Sequence, residues 1–543
     1  MSNYIATVID TTGIQKYIFG SNRLKENVGG SYLVKLATDD WVKDCLRQLG
    51  KERVHIPNEN SSQLESRINT DPNIIAELIY SGGGNTFLLF RDSPEKYARQ
   101  FTKALSKKIL VEAPGLNLEI AHQSFNWNHR LLQEVIENDL IKGKLDIQKR
   151  TPRSSAPLLG LGVTASCVST GLVAVETRKI DGRARPVSRE VAAKLDKVNQ
   201  ANCELSKIIF DRRKSAKLNT TYNIPLDVDD LGRSEHESSY MAVVHIDGNQ
   251  MGKRFKDYGR NQSDNKKFIV ARSELSRAVS QASRKALEAV GEAVVKLVDD
   301  KKFEIKENYL PFRPIVYGGD DITFISDGRL GLSLAVKFLE AFEEFTKDLP
   351  DQQGKATACA GIAIVKTHYP FSRAYALSEA LCSNGKRWLR EQTDNYSEDK
   401  PLFSALDWHI AASGLLGTIG EIRDREYLVQ IPELDRPASI TMRPMRSHAC
   451  KNEWRTWAGF SEVVNHFKTD EAWRDRRNKV IALREVLRQG KKATEQFIQA
   501  YGLESLPLFP GANSQLAKEG WWKDRCGYFD AIEAIDFYIP LTD

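Results

Sequence analysis

The chain of 543 residues has room for roughly three or four domains of about 150 residues each. Its 41% hydrophobic and 28% charged residues are the balance of a globular protein and exclude a disordered one. A formal net charge of +6 is too dilute over this length to point to nucleic acid, and seven cysteines without a CxxC pair argue for free thiols in a reducing compartment, against a disulfide frame or a zinc site.

The opening MSNYIATVID has neither a basic n-region nor an apolar h-region, so no signal peptide is expected. No run approaches the ~18 apolar residues of a membrane span, which makes the cytoplasm the expected compartment. Residues 4–9 read as a β-branched strand. After Gly29-Gly30, SYLVKLATDDWVKDCLRQL reads as a helix with Leu33, Leu36, Ala37 and Trp41 on one face. A polar loop over 50–72 leads to the strand IIAELIY, a triple-glycine turn and the strand NTFLLF. A helix over 94–110 and a strand near LNLEIAH complete the order βαββαβ.

The same order returns later in the chain. YMAVVHI is a strand ending at Asp247, followed by a helical run over 268–297, strand RPIVY, turn GGDD, strand ITFIS, helix LGLSLAVKFLEAFEEF and strand ATACAGIAIV. Strands alternating with helices around a central hairpin predict an α+β fold of two ferredoxin-like domains. Asp10 and Asp247 stand 237 positions apart; the same offset lays Gly83 and Gly84 on Asp320 and Asp321, and Tyr80, Thr86 and Phe87 on Tyr317, Thr323 and Phe324. A duplication follows. The expected domains are 1–125, a mixed and mostly helical 126–235, 236–405, and a helical 406–543 holding Trp454, Trp457, Trp473, Trp521 and Trp522. The helix expected in the linker is PVSREVAAKLDKVNQANCELSKIIFDRRK, beside the loop-like PLLGLGVTASCVSTG.

Chemistry concentrates in YGGDDITFI, residues 317–325. Gly318 and Gly319 permit a tight hairpin turn and close approach of a ligand. Asp320 and Asp321 at its tip, with Asp247 at the end of the neighbouring strand, would form an oxygen-only site for Mg²⁺ or Mn²⁺. Two such ions suit phosphoryl transfer from a nucleoside triphosphate. A solvated turn is the plain alternative for a bare Asp-Asp pair. For Asp10, whose partner hairpin carries glycines, no metal chemistry is expected, although glycine-rich backbone there suits phosphate. Gly29-Gly30-Ser31 ahead of a helix could also hold phosphate, or Ser31 could be an ordinary N-cap. Lys386 in NGKRW could neutralise triphosphate charge or be a solvated surface lysine. No HxxxH, HExxH or His-Asp pair occurs, and no nucleophilic Ser or Cys is indicated.

Taken together, VIDTTGIQKYIFGSNRLKENVGGSYLV, HIDGNQMGK, YGGDDITFI and AGIAIVKTHYPFSRAYALSEALCSNGK resemble the large palm-polymerase subunit of type III CRISPR effector complexes. The resemblance spans roughly 4–125 and 240–410. It implies two facing palm domains with two ATP molecules at their interface, the second palm making cyclic oligoadenylates as an antiviral second messenger. By this resemblance Asp247, Gly248, Asp320 and Asp321 bind metal, the three aspartates are catalytic, and Lys386 faces the phosphates. Gly30 and Ser31 of GGSYL, with Gly82 and Gly83 of SGGGN, would form the opposing nucleotide wall, and Gly248, Gly318 and Gly319 would border the nucleotide.

The departures are specific. There is no HD doublet, so DNA cleavage is not expected; the family's zinc-binding cysteines are missing; and the usual DGD reads Asp247-Gly248-Asn249. The GGDEF cyclases share only GG-D, since neither Glu nor Phe follows in register. The expectation is a nucleotidyltransferase that makes cyclic or linear oligonucleotides from ATP, with RNA or a protein as activator and CRISPR-type backbone subunits as partners. A nucleotide- and RNA-binding scaffold without turnover, with RDRRNK and FDRRKSAK as basic stretches, and a GTP-using GGDEF-like cyclase are the alternatives.

Overall fold

The computed structural model describes residues 3–58, 64–91, 96–151, 160–210, 222–231, 239–260, 262, 264–394, 396, 400–411, 417–451 and 453–541. The basic stretch FDRRKSAK lies, after Phe210, outside the described residues.

The first half is built on strands β1 (Asn3–Thr12), β2 (Val54–His55), β3 (Ala76–Gly82), β4 (Asn85–Arg91) and β5 (Asn117–Asn126), ordered β2-β3-β4-β1-β5. β1 is buried over six consecutive residues because antiparallel neighbours flank it on both sides and helices cover its face. The helices are α1 (Ile14–Phe19), α2 (Leu24–Lys35), which runs on through a π-helical stretch (Leu36–Asp40) into a further helix (Trp41–Arg47), and α3 (Lys96–Glu112). A helical run then continues through Leu132–Glu134 and a π-helical stretch, Val135–Leu145, into α4 (Asp146–Arg150). In the linker, a hairpin of β6 (Glu176–Ile180) and β7 (Arg183–Val187) precedes α5 (Arg189–Ile209), which Ser188 caps by accepting from the Val191 amide.

The second half repeats the plan with β8 (Tyr240–Gly248), the long α6 (Asn265–Asp299), β9 (Phe312–Tyr317), β10 (Asp321–Asp327), α7 (Gly331–Phe345), β11 (Ala358–Lys366) and α8 (Phe371–Gln392). Its core order β9-β10-β8-β11 is that of β3-β4-β1-β5, so both halves are ferredoxin-like. Here the sheet extends further. β12 (Ala405–Ala411) pairs in parallel with β11, so the boundary expected at 405 cuts a strand of this sheet.

Strand pairing corrects the single offset read from sequence. β1 and β8 do correspond at 237, down to the left-handed residue three past the aspartate, Gly13 (φ 67) and Gln250 (φ 55). The hairpins correspond at 236. Asp10 pairs with Asn85 where Asp247 pairs with Asp321, and Thr11 N bonds Gly84 O (3.0 Å) where Gly248 N bonds Asp320 O (3.2 Å). Gly82 (φ 143) matches Gly318 (φ 146), and both hairpins bulge at the same place, skipping Ile79 in one and Ile315 in the other. The counterparts of Asp320 and Asp321 are therefore Gly84 and Asn85, not Gly83 and Gly84. The identities Tyr80/Tyr317, Thr86/Thr323 and Phe87/Phe324 are out of structural register by one.

Gly29 and Gly30 do not precede a helix; they lie inside α2. A Cβ on Gly29 would sit 1.9 Å from the Lys194 carbonyl oxygen, and one on Gly30 would sit 3.3 Å from Lys194 Cε. The glycines let α2 press onto α5, and their amides are spent on helical carbonyls. This removes Gly30 from the phosphate-binding set expected of it. Lys194, buried beneath them, donates to Tyr17 O (2.5 Å) and Glu190 Oε1 (2.6 Å).

The C-terminal part is not an independent helical unit. After α9 (Ile419–Glu426) come the short strands β13 (Leu428–Val429), β14 (Ala438–Ser439) and β15 (Met445–Arg446), then helices α10 (Trp457–Thr469) and α11 (Arg477–Leu487), then β16 (Trp521–Trp522) and β17 (Arg525–Cys526). β15 pairs with β12, while the other four make a small sheet ordered β13-β14-β17-β16. Trp454, Trp473 and Trp521 share one continuous core with Val244, Ile246 and Trp408 of the second sheet. Across this joint the buried Arg443 pairs with Asp530 (3.0 Å) and Glu533 (3.2 Å) and donates to Trp408 O (2.6 Å).

On β3 the fully buried Glu77 accepts from Ile68 N (2.8 Å), Ser66 Oγ (3.1 Å) and Arg67 N (3.1 Å), all at Oε2. Burial outweighs these bonds and pushes its carboxyl from 4.5 up to about 7. A raised folded-state value means a contribution that is complete below 4.5 and is lost as pH rises through about 7. The unfolding free energy of the wild type from urea titrations should fall across that window by roughly 3 kcal/mol relative to Glu77→Gln, which does not titrate. Parallel pH profiles for the two proteins would refute the assignment.

Candidate active site

β8 and β10 are neighbours, and their register sets Asp247 directly opposite Asp321. Asp320 occupies the turn just before β10, against Gly248: a Cβ on Gly248 would lie 2.9 Å from Asp320 Cβ and 3.0 Å from Asp320 Oδ2. Glycine at 248 is what lets the acid close onto the strand end. Gly318 (φ 146) and Gly319 (φ 123) carry the turn, and Ser283 of α6 donates to the Gly319 carbonyl. Lys386 reaches in from α8, its Nζ donating to Asp247 Oδ2 (2.6 Å) and to Gly248 O (2.9 Å). Five of the expected residues, Asp247, Gly248, Asp320, Asp321 and Lys386, thus meet at one cleft, with Gly318 and Gly319 beside it.

The site is open to solvent: Asp321 keeps 54% of its side chain exposed. Burial, with the nearby Asp247 charge, pushes Asp320 up to about 6 and Asp321 up to about 7. Burial works against the Lys386 ammonium, but Asp247 overcomes it and raises that pKa. Three carboxylates share one strand end with a single ammonium, so the group carries an excess of negative charge that favours a cation. Even so, among the described residues no three acidic, histidine or cysteine side chains converge as a cation cage. The three-carboxylate site expected from sequence is not preassembled, because Asp247 turns to Lys386 while Asp321 leans to His245, 3.4 Å away. The donors present are carboxylates and one backbone carbonyl, a hard-oxygen set that suits an ion completing its shell with phosphate oxygens. Asn249 does not replace a lost ligand: its side chain donates to Thr357 Oγ1 (2.9 Å) and Phe403 O (3.3 Å), buried away from the cleft.

Sequence reasoning passed over two neighbours that carried a signal. His245 is two residues before Asp247 and so shares its strand face. Its Nδ1 lies 3.2 Å from Thr323 Oγ1, and burial lowers its pKa, keeping the ring neutral. Glu379 stands seven residues, two helical turns, before Lys386, on the same side of α8. It accepts from Gln15 of the first half (2.7 Å), while Phe19 stacks on Tyr375 (3.9 Å between centroids). Nothing in the sequence foretold Gln15.

The other hairpin is close by. Tyr80 feels the Asp320 charge, although burial is the larger cause of its rise to about 12, and its hydroxyl donates to Gly82 O (2.8 Å). A cavity of about 280 Å³ opens between β3 and α6, lined by Asp39, Lys43, Tyr80, Ser81, Arg277 and Arg284 among others; Gly82 and Gly83 are not in its lining. Ser31 is elsewhere, lining a small gap with Tyr317. In the first half Asp10 pairs with Lys149 of α4, as Asp247 pairs with Lys386. The repeated unit therefore runs past the expected boundary at 125.

Residues 240–393 match the family model of the Cas10/Cmr2 second palm domain. This segment is similar to a Cas10/Cmr2 second palm domain. The family expected from the motifs is the one found for this segment. Among solved structures, the Csm1–Csm4 cassette in complex with pppApApA is similar with a TM-score of 0.50 and 13% identity, over 98% of this chain and 69% of that one. Csm1 in T. onnurineus gives 0.47 and 12% over the same shares. The cassette in complex with cA4 gives 0.42 and 14% over 71% of this chain and 53% of that one. The chain thus spans about half the length of the first Csm1 chains it matches, 53%. At these identities the likeness is one of fold. No curated protein matches the chain. Among the described residues no helix is long and apolar enough to cross a membrane.

Proposed function

We propose that the Cas10-type palm is a nucleotidyltransferase that joins ATP into cyclic or linear oligoadenylates in antiviral defence. The observation that carries this reading is the meeting of Asp247, Asp320 and Asp321 with Lys386 at one strand end. A solvated turn does not require three carboxylates and a lysine gathered at one strand end, whereas binding a divalent ion and a triphosphate does. Asp247, Asp320, Asp321 and the Gly248 carbonyl would hold Mg²⁺ or Mn²⁺, which supplies charge neutralisation and an acidified ribose hydroxyl. Lys386 places its ammonium where triphosphate oxygens approach Asp247. The cavity between β3 and α6 offers Ser81 from the first half and serine hydroxyls with Arg277 and Arg284 from the second to a second nucleotide, which would then lie between the two halves. RNA or a protein as activator, and CRISPR-type backbone subunits as partners, belong to the same proposal.

The test is incubation of the purified chain with labelled ATP and Mg²⁺ or Mn²⁺, with and without RNA. Pyrophosphate release with oligoadenylate products is the expected result; its absence under every condition would sink the reading, and guanine-specific products would favour the GTP-using cyclase. Lys386→Ala should raise KM for ATP by roughly 10- to 100-fold, the worth of a charge-assisted bond to phosphate. An unchanged KM would remove Lys386 from the site.

A further inference from the structure

Lys386 is held in place from two opposite sides of its helix. Residues two apart on a helix point about 200° from one another, so Asn384 and Lys386 leave α8 in nearly opposite directions. Lys386 goes to Asp247. Asn384 Nδ2 donates to Asp407 Oδ2 (2.7 Å) on β12, and the other oxygen of Asp407 takes the guanidinium of Arg423 on α9. The Asp407 side chain is completely buried and that of Arg423 nearly so. A carboxylate in that position needs both partners, so the three residues form one built unit.

Between the two anchors α8 is pressed onto β11. A Cβ on Gly385 would stand 3.6 Å from Cys359 Cβ, and Cys382 Sγ donates to Cys359 O (3.1 Å). Cys359 is the β11 residue paired with Asp247. The rotation of α8, and with it the origin of the Lys386 side chain, is thus referred to the strand carrying Asp407 and not only to Asp247 itself. A lysine ammonium rides on a flexible four-carbon stem, so fixing its backbone origin is the means by which a protein can aim it.

We infer that Asn384, Asp407 and Arg423 are positioning residues for Lys386. Two of the three lie beyond the segment matched as a palm, so part of the site's support belongs to the chain that follows it. The inference rests on the nucleotidyltransferase reading only for what the aimed charge acts upon.

The experiment uses the full chain and an amine-acetylating reagent, with the rate at each lysine read by mass spectrometry in the absence of nucleotide. Asn384→Ala, which removes one half-buried amide, should speed labelling of Lys386 by roughly 3- to 10-fold, as loss of a buried hydrogen bond implies. The exposed Lys253 and Lys301 should keep wild-type rates. Asn384→Asp, which sets a like charge against Asp407, should speed Lys386 at least as much. An unchanged Lys386 rate in both variants overturns the inference. A second arm measures affinity for a non-hydrolysable ATP analogue and for adenosine. Asn384→Ala should weaken the analogue selectively, and the loss should vanish in a Lys386→Ala background. Full persistence of the loss in that background overturns the inference as well. If no protein, wild type included, binds the analogue, the nucleotidyltransferase reading falls while the labelling rates still decide the positioning.

Discussion

Asp320→Ala combined with Asp321→Ala should abolish oligoadenylate synthesis, lowering kcat/KM by roughly 10³-fold or more, since a bound divalent ion contributes several kcal/mol to phosphoryl transfer. Both residues are turn or strand-edge positions on the cleft, one of them half exposed, so the double variant should fold with an unchanged denaturation midpoint. The measurement is pyrophosphate release beside thermal denaturation of the same preparations. Retained synthesis would end the catalytic assignment of the hairpin, whereas lost synthesis with a lowered midpoint would trace the effect to folding instead.

Arg443→Met is expected to be the most destabilising of the substitutions considered, by about 3–5 kcal/mol, because it strands Asp530 and Glu533 as buried charges without their partner. Asp530 also accepts from Thr441 Oγ1 (2.9 Å) and Met442 N (2.7 Å), so its carboxylate cannot simply swing out to water. Guanidinium denaturation should register the loss as a lower midpoint. Adding Asp530→Leu to Arg443→Met should recover part of it, since removing both ends of the pair ends the penalty of the orphaned charge. If the single and double variants are equally unstable, packing around the Trp408 and Tyr427 rings, over which the guanidinium lies at 5.1 and 4.8 Å, carries the joint instead of charge.

The two sheets were legible because central strands bury both faces and are written as unbroken β-branched runs, as in ATVID and AVVHI. The acid hairpin and Lys386 were legible because such groups need a reason to gather. Register was not. A strand reads the same when shifted by one unless its neighbour is known, and the chance identity of Tyr80 with Tyr317 favoured the wrong offset. Gly29-Gly30 misled for a related reason: a glycine pair serves a phosphate loop or a close helix crossing equally well, and only α5, more than 150 positions away, decides between them. β12 was missed because ALDWHIA is short and lies where the expected domain had ended. That the carboxylates stand near one another but do not converge depends on His245 and Lys386 drawing two of them aside, which no spacing rule predicts.

The hairpin of the first half also bears on whether it could carry acids like those of the second. Gly84, the counterpart of Asp320, has φ 84, a conformation that any side chain resists, and a Cβ there would meet Ile14 Cδ1 at 2.6 Å and Thr11 Oγ1 at 2.7 Å. Neighbours have grown into the volume an aspartate would need. A substitution at this position would strain the backbone and would first have to turn aside the Ile14 and Thr11 side chains, Ile14 standing next to the Gln15 that reaches across to Glu379. The asymmetry of the two halves is in this sense built into the packing: the space beside Gly84 is occupied by Ile14 and Thr11, and the helix carrying Ile14 also contacts the other half.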